Sequence, residues 1–393
     1  TYKAMLGGKS VIRTLSEYAT ARGTEIGYDN VFDYSLGNPS VPCPSSFTKA
    51  MIDMYETADP VALHGYSPSL GNPEACRTIA ESLNRRFGMD YTAGHIFPTT
   101  GAAGALAHAL RAVTKPGDEV LTFAPYFPEY HPYVEGAGAR LTVVPADIES
   151  FQINFAAFEA ALNPEVAVVL INTPNNPSGA VYSAETLDRL AGILRAKQAE
   201  YGHDIFLISD EPYREIVFDG GTQPYPAKFY DNTLSCYSYS KSLSLPGERI
   251  GYVLVPPAAA DSKALYAAVC GAGRALGYVC APSMFQRVAA RCADQTSDIA
   301  VYQTNRDLLF NGLTSMGYHC VKPDGAFYLF LKSPEPDARA FCRRAMDYDI
   351  LLVPGDDFGC PGYARLAYCV AHSQLERSLP AFRKLAGSYG LTK

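Results

Sequence analysis

The chain has 393 residues, 48% hydrophobic and 19% charged, which is enough apolar material for a large core and excludes a disordered chain. A formal charge of −7 with no long Lys/Arg block argues against a nucleic-acid surface. No apolar run reaches the length of a transmembrane helix, and Thr1 to Met5 lack the apolar core of a signal peptide, so the expectation is a cytoplasmic protein with no membrane partner.

Residues 1–30 are polar with scattered apolar positions and read as an arm carrying a short helix. Residues 31–39 read as a short strand running into a Gly37-Asn38-Pro39 turn. Helices are expected at 47–55 and 74–87, the latter with Ile79, Leu83 and Phe87 at four-residue spacing, joined through a loop at 66–73. A short apolar stretch from 95 enters Thr/Gly and then a helix of small residues at 102–113. Small side chains at Gly101, Ala102 and Ala103 leave the N–H groups of that helix start open to an anion.

From residue 115 strands and helices alternate. Strands are expected at 118–123, 140–144, 166–173 and 205–209, then at 233–237 and 250–255, with helices at 153–162 and 183–201. The almost unbroken apolar run at 166–173 suits a strand buried on both faces. Such alternation predicts right-handed crossovers, a mostly parallel sheet and ligands at the C-terminal strand ends. Residues 261–291 read as helical, followed by a helix at 299–316, strands at 318–321, 325–331, 350–353 and 364–370, and helices at 338–346 and 373–387. The fold class is therefore α/β: a large unit with a mostly parallel, helix-flanked sheet, plus a smaller α+β unit from the two chain ends. The expected division is 1–45 for the arm and part of the small domain, 46–288 for the large domain and 289–393 for the C-terminal small domain.

The unusual residues fall at strand ends: Phe127 after the first strand of the alternation, Asn176 after 166–173, Asp210 and Tyr213 after 205–209, and Lys241 after 233–237. A lysine beside a buried strand loses pKa by desolvation and becomes a nucleophile suited to Schiff-base chemistry. Ser238 and Ser240 flank it and Arg249 follows, groups that suit a phosphate. A phosphate and an aldehyde in one ligand point to pyridoxal 5'-phosphate. In that reading Asp210 keeps the pyridine nitrogen protonated, and Asn176 and Tyr213 hydrogen-bond the ring hydroxyl oxygen. Phe127 stacks on the ring. Ser238, Ser240, Arg249 and the N–H groups at Gly101–Ala103 hold the phosphate. Lys241, with Asp210 and Tyr213, forms the catalytic set, and Arg365 is the candidate clamp for a substrate carboxylate.

Ten scattered cysteines with mostly apolar flanks and no Cys-x-x-Cys fit reduced, buried thiols rather than disulfides or a metal site. No Gly-x-Gly-x-x-Gly follows a strand and no Gly-x(4)-Gly-Lys-Ser/Thr loop exists, which disfavours a dehydrogenase or an ATPase.

From about Phe32 to Val370 the chain resembles the pyridoxal-phosphate-dependent aminotransferases of fold type I, class I/II, the aspartate aminotransferase superfamily. The resemblance rests on Ser238-x-Ser240-Lys241 with Arg249-x-Gly251, Asn176-Pro177-Ser178-Gly179 and Asp210-Glu211-x-Tyr213. It extends to Tyr66-x-Pro68-x-x-Gly71, 323–328 and Pro354-Gly355-x-x-Phe358-Gly359. It implies transfer of an amino group from an L-amino acid to a 2-oxo acid by a ping-pong mechanism through a Lys241 Schiff base. It also implies a homodimer in which Tyr66 reaches the neighbour's phosphate, Arg365 and Asn176 bind the substrate, and Gly37 contacts it through the backbone. Two departures stand out: Gly101-Ala102-Ala103 offers the phosphate only backbone donors, and Phe127 stands where relatives often have Tyr or Trp. Arg274 lies near, though one residue off, the position of a dicarboxylate-binding arginine; Tyr126, Tyr130 and Tyr278 leave aromatic substrates open. A β-lyase of the carbon–sulfur type is the alternative chemistry, and a regulator that retains the fold is disfavoured by the intact Lys/Asp/Tyr/Arg set.

Overall fold

The computed structural model describes residues 11–391. The reading of Thr1–Met5, and the first ten residues of the expected arm, lie outside them. The strands in chain order are β1 (Phe32–Asp33), β2 (Ile96–Thr99), β3 (Glu119–Phe123), β4 (Arg140–Val144), β5 (Val166–Asn172), β6 (Phe206–Asp210) and β7 (Thr233–Ser238). There follow β8 (Gly251–Leu254), β9 (His319–Cys320), β10 (Tyr328–Lys332), β11 (Ile350–Leu351), β12 (Val353–Pro354) and β13 (Tyr363–Ala367).

Seven of these form one sheet in the order β2-β8-β7-β6-β5-β3-β4. The run from β4 through β7 pairs in parallel, and β8 is antiparallel to both of its neighbours. Alternation along β5 shows why the strand reads as continuously apolar. Val168 and Leu170 face a core shared with Ala105, Leu106 and Ala109 of helix Gly101–Val113. Val169 and Ile171 face another, shared with Leu187, Leu190 and Leu194 of helix Ala184–Tyr201. A separate four-stranded antiparallel sheet has the order β12-β13-β10-β9. Beside it β1 pairs in parallel with β11, Phe32 opposite Ile350, so the early and late parts of the chain meet. The Tyr34 hydroxyl donates to Ser378 Oγ at 2.6 Å, and its ring packs on Phe382.

Helix starts follow their caps: Asn72 accepts from the Ala75 N–H and Ser183 from the Thr186 N–H. The stretch read as helical at 261–291 holds two helices, Ser262–Ala275 and Ser283–Arg291. Gly277, at φ +79°, and Pro282 lie in the break. Lys241 sits in a one-turn helix, Tyr239–Ser242, just past β7 rather than on the strand. Helices Pro60–His64 and Tyr130–Gly136 were not anticipated, being too short to carry a helical period. All ten cysteines are free thiols.

Candidate active site

The C-terminal ends of β3, β5, β6 and β7 open on one cavity of about 420 Å³. Phe127, Asn176, Asp210, Tyr213, Ser238, Ser240 and Lys241 line it, together with Arg249, Ala102 and Ala103. Gly37 and Arg365 close it from the side of the smaller sheet. Gly101 stands just behind the wall at φ +77°, starting the helix that presents Ala102 and Ala103. A Cβ on Gly101 would come within 2.9 Å of Arg249 Nη2, so glycine is what lets the guanidinium lie against this helix start. Arg249 itself adopts φ +51°, a conformation costly for a side-chain-bearing residue and typical of functional sites. Its Nη1 donates to Pro246 O at 2.8 Å and to Ser240 Oγ at 3.4 Å. The hydroxyls of Ser238 and Ser240 bond each other at 2.8 Å. Hydroxyls, a guanidinium and helix N–H groups thus meet at one end of the cavity, a ready anion site.

Asp210 ends β6. Its Oδ2 accepts from the Tyr130 hydroxyl at 2.7 Å, whereas Oδ1 is buried with no partner. Burial pushes this carboxyl up to about 7, with the Tyr130 hydrogen bond opposing and Glu211 adding to the shift. A cationic N–H is the group that would satisfy the orphan oxygen. Burial lowers the Lys241 amine to about 8, and its Nζ donates to Gly37 O at 2.7 Å. The Tyr213 and Tyr328 hydroxyls are 2.9 Å apart, and the Tyr328 hydroxyl occupies the space a Cβ of residue 37 would need. Arg365, on β13, donates from Nη1 to Asn176 Oδ1 at 3.1 Å and from Nη2 to Ser35 O, while its buried Nε has no partner. Its guanidinium lies over the rings of Tyr328 and Phe358. An orphan carboxylate oxygen, an amine of depressed pKa and an orphan guanidinium N–H fit the charges of a protonated pyridine ring, its aldehyde and a substrate carboxylate.

Residues 29–382 match the family described as aminotransferase class I and II. The chain belongs to that family. As an aminotransferase it has well-spread relatives. It is 29% identical over 327 residues to the aspartate/prephenate aminotransferase of Thermus thermophilus, covering 82% of this chain and 83% of the relative. The solved structure of an amino transferase from Eubacterium rectale is 52% identical, with a TM-score of 0.97, covering 99% of this chain and 98% of the other. That of the Thermus thermophilus aspartate aminotransferase with maleate is 25% identical, with a TM-score of 0.84 and coverage of 98% and 99%. The enzyme is thus a transaminase with the expected fold.

Two residues singled out from this aminotransferase's sequence are not at the cavity of their own chain. Tyr66 is 90% exposed, and Arg274 is exposed at the end of helix Ser262–Ala275. Tyr130, kept open as a substrate contact, instead holds Asp210; Tyr278 donates to Pro98 O at 2.7 Å, and Tyr126 bonds His131 at 2.8 Å. The sequence reading missed Ile12, Glu129, Tyr133, Asn172 and Tyr328, which also line the cavity. Asn172 had a usable signal as the last residue of a buried strand; the others carry none, since nothing local distinguishes them from packing residues.

Proposed function

We propose that the protein is a pyridoxal-5'-phosphate-dependent aminotransferase that moves the amino group of an L-amino acid to a 2-oxo acid in a ping-pong cycle. The observation that carries this is the convergence of the Lys241 amine, the unpartnered Asp210 Oδ1 and the unpartnered Arg365 Nε on one cavity. When bound, pyridoxal phosphate supplies an electron sink for the substrate α-carbon. Ser238, Ser240, Arg249 and the N–H groups of Gly101, Ala102 and Ala103 would hold its phosphate. Asp210, oriented by Tyr130, would keep the pyridine nitrogen protonated, Asn176 and Tyr213 would serve the ring hydroxyl oxygen, and Phe127 would pack against the ring. Lys241 would be the attachment residue, and its Nζ would hold and move the proton at the substrate α-carbon. Arg365 would clamp the α-carboxylate with Asn176, and Gly37, with Tyr328 packed where a Cβ would stand, would contact the substrate through its backbone.

The same reading makes the protein a twofold homodimer with Tyr66 serving the neighbour's phosphate. Exposed apolar side chains support it: Ile52, Tyr55, Val61 and Leu70 surround Tyr66 in the chain, and Leu276 and Val279 add a second exposed stretch. The division 1–45, 46–288 and 289–393 belongs to this proposal, as does a cytoplasmic location, which suits ten free thiols. No helix among the described residues is long and apolar enough to cross a membrane. The relatives described are aminotransferases by name, and nothing in the cavity favours the β-lyase alternative. Two measurements test the proposal. Borohydride reduction followed by mass spectrometry should place the cofactor on Lys241. A panel of amino acids should convert the bound cofactor's absorbance, and a 2-oxo acid should restore it; no conversion by any amino acid would sink the reading.

A further inference from the structure

The active-site cavity does not end at the catalytic groups. A second cavity of about 260 Å³ adjoins it, with Ile12, Phe127 and Glu129 lining both. Its other walls are apolar, Val11, Val353 and Phe358 among them, and its only charged lining groups among the described residues are Glu129 and Asp357. The Glu129 backbone oxygen accepts from Tyr133 N–H at 3.3 Å, while its carboxylate has no ion pair or hydrogen bond among the described residues. Asp357 binds Arg339 through Oδ1 at 2.7 Å, while its Oδ2 is buried and unpartnered. Arg339 lines neither cavity, and Arg13, next to Ile12 in the chain, is exposed and lines neither. The cations of the main cavity, Lys241, Arg249 and Arg365, are committed to the cofactor, the phosphate and the α-carboxylate.

With Arg365 holding the α-carboxylate and Lys241 at the α-carbon, the chamber is where a substrate side chain has room to extend. An aliphatic stem matches its walls. A distal carboxylate would meet two carboxylates and no uncommitted cation among the described residues of its own chain, whereas a distal ammonium would meet complementary charge. We infer that this chamber, read by Glu129, which lines both cavities, and by Asp357, which lines the second, selects an amino donor with an aliphatic side chain ending in a cation, of the lysine or ornithine kind, and disfavours acidic donors. Glu129 is the specificity-determining residue.

The inference rests on the aminotransferase reading, and the test separates the two. The half-reaction panel settles the reading itself: if no amino acid converts the cofactor, that reading fails. If some amino acid does, two ligands of similar length that lack an α-amine, 5-aminopentanoate and glutarate, are compared on the holoenzyme by calorimetry, with the cofactor absorbance followed so that binding through an imine is not counted. The first should bind at least about tenfold more tightly, about 1.4 kcal/mol. Glu129→Gln, close in shape and half-buried on the wall of both cavities, should remove most of that preference, and Asp357→Asn should lower it independently. Lysine or ornithine should outrun aspartate and glutamate in the half-reaction. Glutarate binding as well as 5-aminopentanoate, neither ligand binding to an active enzyme, or a preference unmoved by both substitutions would overturn the inference.

Discussion

Burial sets the Lys241 amine at about 8 against 10.5 for a solvated lysine. Below pH 8 the folded apoprotein carries a charge it would rather shed, and the unfolded chain binds the extra proton more readily, so this cost fades as pH rises from 8 toward 10.5. Lys241→Met should therefore give an apoprotein more stable by up to about 3 kcal/mol near pH 7. The gap should close above pH 8, as read by denaturant melts across that range. Asp210 is the mirror case. Its carboxyl is raised from 3.8 to about 7, so its burial costs nothing in acid, destabilises progressively as pH climbs from 3.8 to about 7, and adds no further loss above that. Asp210→Asn should yield an apoprotein at least as stable as the parent at pH 8, yet a holoenzyme slower by roughly 100-fold or more. A variant that lost stability and activity together would mark Asp210 as a structural residue.

At the scale of elements, the junction of β7, β8 and helix Gly101–Val113 leaves no spare volume. A Cβ at Gly251 would overlap the Tyr237 carbonyl oxygen and lie 3.1 Å from Gly101 Cα. Gly251→Ala should cost about 2 kcal/mol in denaturant unfolding. Because the displaced neighbour starts the phosphate-facing helix, it should also weaken cofactor affinity, a loss that a distant destabilising change of equal size would not produce. The same junction explains what was legible from sequence. Lys241, Asp210, Asn176 and Phe127 are readable because buried β-runs end abruptly in polar residues, and a parallel sheet gathers those ends. Tyr130 and Tyr328 are not readable: each finds its role across the fold, on Asp210 and on Tyr213, at separations no local pattern encodes. The helix break after Ala275 was readable in part, since Gly277 and Pro282 interrupt an otherwise helical run.

For the whole molecule, the shared-site dimer predicts complementation. Chains carrying Tyr66→Ala and chains carrying Lys241→Ala should each be poorly active or inactive alone. Mixed, partially unfolded and reassociated at random, they should form hybrids with one intact site, recovering about a quarter of parental activity per chain. No recovery, with hybrids verified by mass, would mean Tyr66 serves only its own chain. One feature of the assembled chain reaches back to its birth. Strand β1 has β11 as its partner, and Tyr34 bonds Ser378 across 344 residues of sequence. On the ribosome, the segment that will carry Gly37 must wait, unpaired, until almost all of the polypeptide has emerged. The strands of the seven-stranded sheet, by contrast, are all synthesised between residues 96 and 254 and can pair well before then. Lys241 is thus in place before the backbone oxygen it will bond, and nascent chains stalled in about their last sixty residues should expose β1 to proteases while protecting the large sheet.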